Sequence, residues 1–160
     1  MTFSQATEVP LAHPFIEALD LALHQLAAKD RCLLDNDRIN ERALSFRLAM
    51  HLQAHLPSWE IDCEYNGWDV PCHAMKHVVT PTHAAATEAR TVFPDIAVHR
   101  RETGQRLALI EIVKSGSRFG KHQDTKKLKA YKTQMGYEFA LLLTLGVGAD
   151  AGSHYAEVIV

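Results

Sequence analysis

Residues 107–113 read LALIEIV, an apolar run broken by one acid, Glu111, and followed at once by Lys114. Such a run is a strand buried in a sheet, bounded here by a polar stretch before it and Ser-Gly after it. A carboxylate carried into a buried strand is expensive unless something compensates its charge. The fold must therefore bring Glu111 a partner, a cationic side chain or a metal ion, and this requirement organises the reading of the rest of the chain.

At 160 residues the chain is expected to be one domain, long enough to bury a core. Its opening, MTFSQATEVP, has neither the basic nor the apolar segment of a secretory leader, and no run approaches membrane-spanning length. Cys32, Cys63 and Cys72 are too few, and odd in number, for a disulfide framework. A cytoplasmic protein with no membrane partner is the expectation.

HPFIEALDLALHQLAAK has apolar residues three and four apart with a proline near its start, which predicts a helix over about 14–29. INERALSFRLAMHLQAHL follows the polar DNDR and predicts a second helix that stops before Pro57. WEIDCEY alternates like a strand, and the segment 66–91, with its prolines and histidines, reads as a loop. TVFPDIAVH and QRLALIEIV are two strands joined by RRETG. TKKLKAYKTQM places Leu128, Tyr131 and Met135 on one helical face, with Gly136 where a helix C-terminus favours a left-handed residue. YEFALLLTL is a buried strand and HYAEVIV a last one, over about 154–160. This order predicts an α/β domain with a mixed central β-sheet flanked by α-helices, its core over about 37–146.

Side chains alternate faces along a strand, so Leu107, Leu109, Glu111 and Val113 share one face and Lys114 takes the other. Among the several registers open to the hairpin, turn chemistry favours a three-residue loop, Glu102-Thr103-Gly104, with Arg101 opposite Gln105, and this sets Asp95 directly across from Glu111. Two facing carboxylates repel unless a positive charge lies between them. A hard dication, Mg²⁺ or Mn²⁺, meets that need, and so does a salt bridge to a lysine or arginine. In the second helix, at about 100° per residue, Leu48 and Leu52 fall within about 20° of Glu41. Glu41 therefore points with the apolar stripe toward the sheet, although a first-turn acid is also what the helix dipole favours.

Pro94-Asp95, Glu111 one strand later and a helical Glu41 upstream resemble the PD-(D/E)xK nuclease superfamily, most closely its small bacterial members. The matching stretches are NERALSFRLAMHLQAHLPSWEIDCEYN, PDIAVHRRETGQRLALIEIVKS and DTKKLKAYKTQMGYEFALLL, spanning about Asn40 to Leu143. The resemblance implies a restriction-endonuclease-like core and metal-dependent hydrolysis of phosphodiester bonds in nucleic acid, DNA first. It implies that Asp95 and Glu111 hold Mg²⁺ or Mn²⁺, with the Ile112 carbonyl a further ligand. Glu41 would orient water or complete a second metal site. Proteins of this class are often homodimers.

The chain departs from the family pattern at one place. The motif lysine belongs two residues after the second acid, where this sequence has Val113; the lysine is Lys114, one position late. Three explanations compete. A β-bulge swings Lys114 back to the metal face; another lysine, Lys127 on the following helix or Lys76 in the loop, supplies the charge; or catalysis is lost and the fold serves binding alone.

Between Val98 and Lys132 ten Lys or Arg stand against three acids, which leaves the rest of the chain at about −9 for a net charge of −2. A polyanion-binding face fits that split, with Arg100, Arg101, Arg106, Lys126, Lys129 and Lys132 as candidates for phosphate contacts. A solvated lysine-rich helix face explains the lysines equally. Cys63, Cys72, His73, His77 and His83 offer zinc-type ligands but match no standard finger spacing. His51 and His55 lie one helical turn apart, and His99 shares the face of Asp95.

Overall fold

A computed structural model of the chain describes residues 2–3, 13–65, 93–117 and 121–159. Among the described residues four helices, α1 (Pro14–Lys29), α2 (Arg31–Leu34), α3 (Glu41–His55) and α4 (Lys121–Met135), flank a mixed sheet. Its strands are β2 (Glu60–Cys63), β3 (Ile96–Arg100), β4 (Gln105–Lys114), β5 (Phe139–Leu145) and β6 (His154–Val158), and a two-residue β1 (Thr2–Phe3) extends one edge. The order across the sheet is β1-β6-β5-β4-β3-β2. β2, β3 and β4 form an antiparallel meander, α4 crosses over so that β5 runs parallel to β4, and β6 returns antiparallel. No described helix is long and apolar enough to cross a membrane.

The central strands are apolar on both faces because both faces are covered. Ala108, Ile110 and Ile112 of β4 and Leu141, Leu143 and Leu145 of β5 pack against Leu19, Leu23, Leu44, Leu48 and Leu52 of α1 and α3. Leu109 and Val113 of β4, with Ala140 and Leu142 of β5, pack instead on Leu128, Tyr131 and Met135 of α4. Alternation along β4 thus assigns Glu111 to the α4 face.

The helices begin where local chemistry tells them to. The His13 ring accepts from Phe15 N–H ahead of Pro14, and the Asn40 side chain accepts from Arg42 N–H to cap α3. Where α1 ends, Asp30 is buried against α3, accepting from Arg47 at 2.9 Å and bonded to the His51 ring at 2.6 Å. The α1–α3 pair is fastened by charge as well as by leucines. Of the two histidines noted on α3, His51 belongs to this joint.

The β3–β4 hairpin differs from expectation near its turn and agrees with it near the acids. Arg100, not Arg101, pairs with Gln105, so the loop is the four residues 101–104, with Gly104 at a left-handed φ of 71°. A bulge between Val98 and His99 then adds one residue on the β4 side, and Ile96 faces Ile110. The two departures cancel: Ile96–Ile110 is the pair that the three-residue loop also predicts, and Asp95 lies at the bend just before it. The sequence reading also passed over α2, the edge pairing of β1 and a 3-10 turn at Gly148–Asp150.

Candidate active site

Asp95 ends the stretch before β3, and its carboxylate turns into the plane of the sheet. Its Oδ2 accepts the Ile112 N–H of β4 at 2.7 Å, a bond the ladder would otherwise give to a backbone carbonyl. In an extended strand one residue's N–H and C=O point to the same edge, so the Ile112 carbonyl is directed to the Asp95 side as well. Glu111 precedes it, only 4% exposed. Its charge is met by Lys127 of α4, whose Nζ lies 2.7 Å from Glu111 Oε1 and donates to the Phe93 carbonyl at 2.7 Å. Residues on both sides of the β3–β4 junction are thereby held to one ammonium group.

Lys127 can reach Glu111 because both occupy the α4 face. Lys114 does not. The register of β4 on β5 runs unbroken from Ala108–Phe139 to Lys114–Leu145, without the bulge that would return Lys114 to the acids. Its Nζ instead donates to the carbonyls of Asp37 (3.1 Å) and Ile39 (2.8 Å), in the loop that leads into α3. Lys114 is removed from the site and assigned to holding that loop. Val113, at the motif position, is buried in the α4-side core.

Leu44, Leu48 and Leu52 are fully buried as the helical stripe required, but they lie on the face opposite to Glu111. Glu41 is half-buried on the first turn of that helix. Among the described residues no three His, Cys, Asp or Glu side chains are grouped to hold a metal ion. The donors at hand are two carboxylates and the Ile112 carbonyl, all hard oxygens. They suit Mg²⁺ or Mn²⁺, which takes one or two carboxylates and keeps water at its other positions. Asp95 also lines an open pocket of about 180 Å³ with Arg42 and Ser45 of α3 and with Cys63 and Glu64 at the end of β2.

Arg42 and Glu64 went unnoticed in the sequence. The two are ion-paired at 2.6 Å. Glu64 has φ of 48°, the one described non-glycine residue with positive φ, and its N–H donates to the Asp95 carbonyl at 3.3 Å. No residue pattern announces a left-handed glutamate, so this corner was not legible beforehand.

Most of the arginines proposed for phosphate contacts are occupied by the fold. Arg100 lies over the Trp59 ring, 5.0 Å from its centroid, and donates to the Ser58 carbonyl. Arg101 grips both carboxylate oxygens of Asp62. Arg106 donates to the Met135 carbonyl at the end of α4, and Lys132 to Ile159 at 3.0 Å. Lys126 and Lys129 are exposed on α4. His99 is buried, its ring 2.8 Å from Asp62 and 3.2 Å from the Tyr137 hydroxyl. Burial lowers its pKa despite Asp62, so the neutral ring donates from Nε2 to the carboxylate and accepts from the tyrosine at Nδ1. Of the zinc-type candidates only Cys63 is described. The residue is exposed overall, but its thiol is partly enclosed, and that enclosure with the carboxylates of Asp95, Asp62 and Glu64 pushes it up to about 11. Cys72, His73, His77, His83 and Lys76 lie outside the described residues, as does the 66–91 loop.

Comparison with family models, with curated proteins and with solved structures finds no match.

Proposed function

We propose that this chain is a PD-(D/E)xK nuclease-like domain whose motif lysine has moved from β4 to α4, where Lys127 takes its place. The observation that carries the reading is the buried Glu111–Lys127 ion pair at 2.7 Å, beside an Asp95 carboxylate fixed on the Ile112 backbone. The Lys127 pair and the Asp95 bond thus fall on neighbouring residues of β4, Glu111 and Ile112. The helices on both sides of the mixed sheet support a restriction-endonuclease-like core. Asp95, Glu111 and the Ile112 carbonyl would hold Mg²⁺ or Mn²⁺, which when bound supplies Lewis acidity and a more acidic water. Lys127 keeps Glu111 ionised in a buried place, and its ammonium is placed to neutralise charge on a phosphate at the acids. The substrate is nucleic acid, DNA first.

The experiment is incubation of purified protein with DNA and with RNA in Mg²⁺ or Mn²⁺, beside Asp95→Ala and Glu111→Ala. Cleavage by the natural chain and loss in both variants is the expected result. Cleavage that survives both substitutions removes these residues from the site.

A second reading is a non-catalytic domain that binds nucleic acid or a protein. What favours it is that Lys127 already neutralises Glu111 and that apolar Val113 fills the motif position. Binding of DNA without cleavage in either metal, by folded protein, would select it.

A further inference from the structure

Beside Asp95 stands a cation that the family motif does not include. Arg42 projects from the first turn of α3 into the pocket that Asp95 lines, 76% exposed, its Nε 2.6 Å from Glu64. An exposed pair of this kind is worth about 0–1 kcal/mol, so a better anion displaces the glutamate readily. A phosphate is the better anion, because the guanidinium offers it two parallel N–H donors. Glu64 is held in place at a price in backbone strain: its φ of 48° belongs to a region that non-glycine residues seldom visit. That conformation is fastened to the site itself through the Glu64 N–H bond to the Asp95 carbonyl. The pocket therefore holds a carboxylate against an arginine, in reach of solvent, next to a proposed metal ligand.

We infer that the Arg42 pocket is a phosphate subsite for nucleic acid, in which Glu64 occupies the arginine until a backbone phosphate replaces it. The inference rests on the nuclease-like reading, since a phosphate beside Asp95 needs a dication to offset the carboxylates. Arg42 then positions one phosphate group while Lys127 and the acids serve the reacting one, or the two are the same group seen from opposite sides.

Fluorescence anisotropy of labelled duplexes, with 5′-phosphate or 5′-hydroxyl ends, tests it over a salt series in Ca²⁺. Arg42→Ala should weaken binding and reduce the slope of log affinity against log salt by about one. Arg42→Lys should recover the slope but only part of the affinity, and Glu64→Gln should tighten binding. In cleavage assays Arg42→Ala should raise KM more than it lowers kcat. An effect equal for both duplexes supports an internal phosphate as occupant, and one confined to the phosphorylated duplex supports a terminal phosphate. Unchanged affinity and slope in Arg42→Ala, with Asp95→Ala abolishing cleavage, overturns the subsite and leaves the nuclease reading standing. Cleavage persisting in Asp95→Ala overturns the nuclease reading instead. A natural chain that neither binds nor cuts either duplex overturns both.

Discussion

At the scale of single residues the site depends on one lysine meeting one glutamate away from water. Glu111 is 5% exposed at its side chain and Lys127 13%. Removing one partner of such a pair strands the other charge, at a cost of about 3 kcal/mol. Lys127→Met should therefore lower the unfolding free energy by about that amount in urea titrations, and Glu111→Gln in the same background should restore most of it. A loss no larger than that of an ordinary surface lysine would mean the pair is open to solvent. The partner demanded by an acid within LALIEIV was legible in the sequence. The sequence left that partner open between a metal ion, which it favoured, and a lysine or arginine, because only the packing of α4 on the sheet brings Lys127 to Glu111.

At the scale of elements, β2 and β3 are joined by a buried polar chain from Tyr137 through His99 to Asp62 and Arg101. The hairpin was readable to the level of the Ile96–Ile110 pairing, and not to the level of its turn. The bulge at Val98–His99 seats the His99 ring between Asp62 and Tyr137, partners 37 and 38 residues away in the chain, so local turn chemistry had no means to reveal it. The same network makes stability depend on pH. Burial holds His99 and His154 below the ordinary histidine value of 6.5. As pH falls through 6.5 the unfolded chain takes up protons that these rings refuse in the native state, so unfolding becomes easier. Burial works against the carboxylates of Asp62 and Asp30, yet hydrogen bonds from Arg101 and His99, and from His51 and Arg47, hold both below 3.8. Their contribution is intact above that value and lost at lower pH. Urea unfolding at pH 7.5, 6 and 5 should show a falling free energy, and His99→Gln should flatten the slope. Stability that is constant or rises toward pH 5 would contradict a buried neutral His99.

At the scale of the whole molecule, the sheet separates two tasks. One face, under α1 and α3, is sealed with leucines and takes Lys114 to pin the approach to α3. The other, under α4, carries Glu111 and Lys127 within its core. The charge surplus of residues 98–132, which suggested a polyanion-binding face, is largely spent inside this frame on Asp62, Glu111, Trp59 and backbone carbonyls. The proposed nuclease-like reading, in which Lys127 of α4 replaces the motif lysine of β4, carries a demanding prediction. Lys127→Met should reduce metal-dependent cleavage by about 100-fold, the scale on which one charge-stabilising donor acts. Adding Val113→Lys should return part of it, since position 113 shares the face of Glu111 and a lysine stem can cover the apolar surface that valine covers. The double variant should also regain stability over Lys127→Met, because the buried carboxylate has a cation again. Recovery of stability without recovery of cleavage would place Lys127 in the fold rather than in the chemistry. The two carboxylates would then be left as binding groups, as the non-catalytic reading requires.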